Sequence, residues 1–388
     1  MEFSNLWFAA HWLMRRAVFL LPVVAFAQGG GNEIVLGQTA TVTNPLVASM
    51  TREYTAGLQV ALDRINAAGG VRGRRVRLAF RDDNFDPAKT PALVDELVQQ
   101  EKAIALVGVM GTQPVLRLAQ EQVLEKYRLA SFGPITGLQG ALTKPNVFPV
   151  RGSYEDEVRA MFAHSARLGR GKVLYLYVEA GVGLALAKQV PAMAQEAKVN
   201  LTGVVGFPLT ADKSLQQAAV NKALDSVPLR PESVVLLAIG PAHSEAVKVL
   251  RNRFGLGMPI YSLGQVNPNS LIADVGKELA WGVMLSQVVP MPGSVALQIA
   301  RDFEKDRRRF ANDTPASYLM LEGYICGRIA TEVVRRAKTL TREGVLQAAE
   351  QAGVLDVGGF RVDYGGETRR SINPVELTML TRTGTLIR

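Results

Sequence analysis

The sequence predicts an α/β protein built of two open parallel sheets that face each other across a cleft. Three observations predict it. Short β-rich runs alternate with helical runs, the pattern of strands joined by right-handed helical crossovers. The same rhythm restarts after Val150. The chain of 388 residues also exceeds the ~250–300 residues that a single core usually spans.

In order, residues 34–36 read as a strand, and 52–66 as a helix with Tyr54, Leu58, Ala61, Leu62 and Ile65 on one face. Gly69 and Gly70 stop that helix. Strands at 76–80, 104–107 and 129–132 then alternate with helices at 88–100 and 114–127. Past Val150, helices at 154–168, 183–197, 215–224 and 242–254 alternate with strands at 173–178, 201–207, 233–239 and 259–263. After Met284 the pattern turns helical at 295–310, 316–337 and 341–351, and it closes with β-like segments at 359–364 and 375–381. Open sheets of this kind hold ligands at the carboxyl ends of their strands. No short repeat and no low-complexity linker separates the halves, so hinge segments that cross more than once are expected.

Residues 1–27 read as a cleaved export signal. Arg15 and Arg16 precede an apolar run over 17–27 that ends in Ala25-Phe26-Ala27. About eleven apolar residues are too few to span the ~30 Å hydrocarbon core as a helix. Met14 offers a second start, so the chain begins at Met1 or Met14. Removing the signal lowers the net charge from +9 to +8. The single cysteine, Cys326, precludes an intrachain disulfide, a cysteine metal cluster and a lipid-modified N-terminal cysteine. It sits among Leu319, Leu321, Tyr324, Ile325 and Ile329 and reads as a small buried hydrophobe. The densest basic run, 305–309, reads as the solvated face of a helix, and no helix-turn-helix or aromatic context accompanies it. Nucleic-acid binding is therefore not expected.

No G-x-S-x-G, H-E-x-x-H or P-loop motif occurs, and only His164 and His243 remain after the signal. No catalytic constellation, metal or cofactor is expected. Asp82, Asp83 and Asp86 lie in a loop before Pro87, where Asp86 reads as a helix cap. Two strand-to-loop transitions stand out: 108–114, with Gly111, Thr112 and Pro114, and 132–137, with Gly133, Pro134 and Thr136. Thr112 has the form of an N-cap hydroxyl. Free amides at such a helix start suit a carboxylate. The two threonines cap alone, or cap and also contact a ligand. Tyr154 is an aromatic wall or a hinge-packing residue. His243, after the strand at 233–239, is expected to face the cleft.

Several segments together resemble the leucine/isoleucine/valine-binding family of type I periplasmic solute-binding proteins. They are Asn66-Ala67-Ala68-Gly69-Gly70-Val71-Arg72-Gly73-Arg74, Asp82-Asp83 to Asp86-Pro87, Gly111-Thr112, Phe132-Gly133-Pro134, Leu321-Glu322-Gly323-Tyr324 and Gly358-Gly359-Phe360-Arg361-Val362. The match keeps its order over nearly the whole mature chain. The resemblance implies two Rossmann-like lobes and a three-crossing hinge, with lobe one at 28–150 plus 288–352 and lobe two at 151–287 plus 353–388. It implies ligand contacts at Gly111, Thr112, Pro134, Thr136, Tyr154, Val182, His243 and Gln265, with Thr112 and Thr136 on the ligand carboxylate. Val182 stands where the family usually has an aromatic residue, and Gln265 stands where amino-acid binders place an acid for the ligand ammonium. A neutral amide does not offset a desolvated ammonium, so an amine-free carboxylate fits as well as an amino acid. The expected protein is a periplasmic, monomeric, non-enzymatic component of an ABC importer that passes a small molecule to an inner-membrane permease. The other reading is a sensory module of the same fold that acts through a separate partner.

Overall fold

The computed structural model describes residues 33–388 apart from Leu46 and Glu367, and the expected signal at 1–27 lies outside the described residues. The chain opens with β1 (Glu33–Ala40), α1 (Ala48–Ala67), β2 (Arg75–Asp82), α2 (Thr90–Gln99), β3 (Ala105–Val107) and α3 (Thr112–Gln120). The short α4 (Val123–Lys126), β4 (Ala130–Phe132), α5 (Gln139–Leu142) and β5 (Val147–Phe148) complete the first series. The second series is α6 (Tyr154–Arg167), β6 (Lys172–Val178), α7 (Gly181–Ala187), α8 (Val190–Glu196), β7 (Asn200–Phe207), α9 (Lys213–Asp225) and β8 (Ser233–Leu237). It continues with α10 (Gly240–Phe254), β9 (Ile260–Ser262), α11 (Pro268–Ala280) and β10 (Val283–Gln287). Last come α12 (Gln298–Phe310), α13 (Tyr318–Arg336), α14 (Arg342–Glu350), β11 (Val354–Asp356), β12 (Arg361–Asp363), β13 (Arg370–Ser371), β14 (Glu376–Leu380) and β15 (Leu386–Ile387).

The first sheet runs β2-β1-β3-β4-β5, all parallel, and the second contains β7-β6-β8-β9-β10 in the same parallel arrangement. Strands β14 and β15 extend the second sheet antiparallel from β10. In both sheets the first strand lies between the second and the third, which creates a topological switch point at the carboxyl end of β1/β3 and of β6/β8. The central strands are apolar and buried on both faces, as parallel sheets covered by helices require.

The chain leaves the first sheet through 149–153, returns through 288–297 and crosses again through 372–375. Leu355, Phe360, Val362 and Tyr364 share one apolar core with Ile34 and Leu36 of β1, and the Tyr364 hydroxyl donates to the Pro149 carbonyl at 3.1 Å. The sequence reading grouped 353–388 with lobe two, but this packing sets 355–364 against the first sheet and leaves only β14 and β15 on the second. Short strands with one apolar face carry no label for the sheet they join; tertiary pairing decides it.

Helices α1 and α13 cross at van der Waals contact in the first core. A β-carbon on Gly57 would lie 1.8 Å from the Met320 carbonyl oxygen, and one on Gly323 would lie 2.0 Å from that of Tyr54. Only glycine fits either position. Cys326 is buried in α13, as expected. Two expected helices are interrupted. The 183–197 segment breaks into α7 and α8, where Pro191 in the first turn of α8 lacks an N–H. The 114–127 segment breaks at Gln122, which is left-handed at φ 52°.

Candidate functional site

The loop after β2 is tightly held. The Asp82 carboxylate accepts N–H bonds from Val42 and Thr43 at 3.1 Å and from Asn84 at 2.7 Å. Burial opposes its charge, yet these donors hold it below the ordinary carboxylate pKa. Asp83 accepts from the Phe85 N–H at 3.0 Å and from the Thr90 hydroxyl at 3.3 Å. Asn84 and Phe85 are both left-handed, at φ 53° and 60°, which is a costly conformation for a bulky aromatic. The result is a Phe85 ring laid over Gly111. A β-carbon there would meet the ring at 2.8 Å, and Gly111 itself has φ 94°. Phe85 was not singled out from sequence; its place in the Asp-Asp-Asn-Phe-Asp-Pro turn was the available signal. Asp86 closes a turn onto the Ala88 N–H at 3.0 Å instead of capping α2, which starts at Thr90 without a side-chain cap.

Gly111, not Thr112, is the N-cap of α3, and no side chain caps it. The Thr112 hydroxyl instead meets the Thr136 hydroxyl at 2.6 Å. The expected caps are therefore corrected: a hydroxyl pair joins the loops after β3 and β4. Thr136 also accepts from the Leu138 N–H at 3.3 Å and is fully buried, whereas Thr112 stays half-buried at the helix start. Buried Pro134 accepts the Thr136 N–H at 2.8 Å, which shapes the tight turn. Gly111, Thr112, Pro134 and Thr136 are thus brought together beside the first switch point.

Tyr154 begins α6. Its N–H donates to the Gly137 carbonyl at 2.7 Å, and its hydroxyl donates to Gln265 Oε1 at 2.6 Å. Burial pushes the Tyr154 phenol up to about 12, so it stays a proton donor at neutral pH. That bond engages the carbonyl arm of Gln265, whose amide N–H arm has no partner among the described residues. Tyr154 also lies against Arg151, whose guanidinium carbon is 5.2 Å from the ring centroid. Arg151 is 2% exposed and donates to Glu157 at 2.8 Å, with Glu322 3.8 Å away. The other Glu157 oxygen accepts from the Ser286 hydroxyl and from the Gly264 N–H. Burial raises the Glu322 carboxyl, opposed by Arg151 and assisted by Glu157. Sequence reading missed this group; the one signal was an arginine closing the apolar run 147–150.

In the second lobe Val182 lies in the first turn of α7, half-buried against the core that contains Tyr154. His243 does not line an open face. It is 1% exposed, its Nε2 meets the Ser262 hydroxyl at 2.7 Å, and burial lowers its pKa to about 4. The neutral ring occupies the core between α10 and β9. Glu179 is exposed beside Gly206. Among the described residues no three His, Cys, Asp or Glu side chains gather as a metal site.

The two switch points, the hydroxyl pair and the three crossings are the features on which a comparison with known proteins bears. The sequence profile of the periplasmic binding protein family matches residues 33–385. The chain belongs to that family. A relative from Brucella abortus named Leu/Ile/Val-binding protein homolog 7 is 24% identical over 379 residues, which covers 92% of this chain and 93% of that one. An amino acid binding protein from Pseudomonas aeruginosa is 43% identical over 99 residues, 25% of this chain and 26% of that protein, so this second likeness is local. The crystal structure of a substrate-binding periplasmic protein from Ralstonia solanacearum superposes with a TM-score of 0.81 at 28% identity, covering 92% of this chain and 99% of that one. The periplasmic binding protein here has the two-lobed type I fold.

Proposed function

We propose that this periplasmic binding protein captures a small carboxylate-bearing solute between its lobes and presents it to an ABC permease, without catalysis of its own. The observation that carries this reading is the pairing of Thr112 with Thr136 at the first switch point. There the hydroxyls and the free N–H groups of the α3 start suit an oxyanion. Gln265 and Tyr154 supply the opposing contact from the hinge and second lobe, with Phe85 and Val182 as apolar walls. Engagement of Gln265 Oε1 by Tyr154 leaves the amide N–H arm for ligand, a donor that suits an acceptor group and not an ammonium. An amine-free carboxylate with a second oxygen acceptor is the solute this favours. The name of the Brucella relative keeps branched-chain amino acids as the competing class.

The test is a thermal-shift panel of amine-free carboxylates and amino acids against the wild-type protein and the Thr112→Val and Gln265→Glu variants. A solute at a hundredfold excess over its Kd adds ~2.7 kcal/mol of stability. Amine-free carboxylates should stabilise the wild type and bind Thr112→Val roughly tenfold more weakly, for a lost hydrogen bond to a charged group. Gln265→Glu should weaken them further and admit amino acids. Equal stabilisation of the wild type by leucine would overturn the amine-free reading. Full affinity in Thr112→Val would overturn the placement of the carboxylate.

A further inference from the structure

A pocket lies at the hinge and shares no lining residue with the Thr112, Thr136 and Gln265 group. It holds about 200 Å³, and its walls include Arg151, Arg369, Arg370, Thr143, Thr368 and Asp156. Arg151 is paired with Glu157, but Arg369 and Arg370 have no close carboxylate among the described residues. Arg369 is half-buried and stacks on Phe148 at 4.2 Å, with one hydrogen bond among the described residues, to the Val147 carbonyl at 3.3 Å. Among the described residues its one carboxylate partner, Glu350, stands 4.0 Å away, at the limit of an ion pair. Burial holds the Arg369 guanidinium below its ordinary pKa, which marks a charge removed from water without full compensation. Arg370 is exposed and has no carboxylate partner among the described residues. Arg151 contributes to the wall, but its guanidinium is turned to Glu157 at 2.8 Å and its Nε and Nη1 are sealed from solvent, so the pocket's donors are Arg369 and Arg370. Among the described residues of the wall the single carboxylate, Asp156, is committed to Ser153 in the capping box of α6 and to Arg159 at 3.7 Å.

We propose that this pocket is a binding site for a small oxyanion of phosphate size, separate from the ligand cleft. Planar guanidinium forks and a threonine hydroxyl are the donors that recognise tetrahedral oxyanions. With ~30 Å³ per water molecule, the volume suits one such anion and a few waters. The walls come from the α5 region of the first lobe, the first crossing, the start of α6 and the segment just before the third crossing. An anion there would bridge segments on both sides of the first crossing.

The experiment titrates inorganic phosphate, and separately sulfate, into the whole protein at constant ionic strength set with sodium chloride, read by thermal shift and calorimetry. Wild type and Thr112→Val should both show saturable stabilisation. Arg370→Glu should weaken it at least tenfold, and Arg369→Gln with Arg370→Glu should abolish it. Should the double variant fold poorly, the exposed Arg370→Glu position carries the test alone. An effect matched by chloride, or one that survives in Arg370→Glu, overturns the site. Loss of the effect in Thr112→Val also overturns it, because the anion would then sit in the cleft.

Discussion

The His243 ring is enclosed by α10 and β9, with Nε2 on the Ser262 hydroxyl, and burial alone depresses its pKa to about 4. An unfolded histidine titrates near ~6.5. Because the folded pKa is the lower one, its stabilising contribution is complete above pH ~6.5. It is lost as pH falls toward about 4, where the unfolded chain binds the extra proton. The shift corresponds to roughly 3 kcal/mol over that window. Glu322 and Glu53, raised by burial, act in the opposite sense as pH falls. The difference between wild type and His243→Gln isolates the imidazole. Melting temperatures from pH 7 to 4 should fall more steeply for wild type than for the variant; parallel curves would show that the ring is not the source. His243 also illustrates what a single sequence conceals at this scale. Its position after β8 was legible, but its burial depends on α10 and β9 packing over it, which no local pattern encodes. Thr112 was legible as a hydroxyl at the start of α3, but its partner, Thr136 in place of a helix cap, was hidden for the same reason.

At the scale of elements, the β/α rhythm was readable because buried parallel strands are continuous apolar runs and their crossover helices are amphipathic. α11 was not read as a helix, and its left-handed Gly276, at φ 81°, interrupts the pattern from within. The closest element contact, α1 on α13, rests on glycines whose role only the assembled pair reveals. Gly323→Ala drives a methyl group into the Tyr54 carbonyl, a backbone atom that cannot rotate away. Overpacking of this kind costs about 1–3 kcal/mol and more where backbone must move. Gly257 has open space around it and no left-handed φ. Gly257→Ala should therefore stay within about 0.5 kcal/mol of wild type. Denaturant midpoints of the two variants check the pair, and a neutral Gly323→Ala would mean that α1 and α13 are less tightly packed than described.

Across the whole molecule, lobe motion must pass through the crossings, and the Arg151 group joins two of them. Arg151 lies in the first crossing, Glu157 on α6, Ser286 on β10 before the second crossing, and Glu322 on α13 in the first lobe. Asn267 adds a bond to Glu53 on α1 at 2.9 Å, and the Gln139 N–H donates to Glu155 at 3.2 Å, so the lobes meet on more than one side of the hinge. A buried pair of this kind adds little net stability over apolar residues, but breaking it by removing one partner costs about 3–5 kcal/mol. Glu157→Gln leaves the Arg151 charge, among the described residues, with Glu322 alone at 3.8 Å, so stability should fall by about that amount. Adding Arg151→Met removes the orphaned cation, and it also removes the one group that opposes the upward shift burial imposes on the Glu322 carboxyl. The double variant should therefore recover most of the loss in a denaturant melt. Its radius of gyration by solution scattering should exceed that of wild type, because the polar ring that registers the crossings is gone. A double variant as unstable as Glu157→Gln would show that Arg151 does not carry the penalty. Recovered stability with an unchanged radius would show that the hinge is held by the apolar packing of Val150, Val288 and Tyr364 instead.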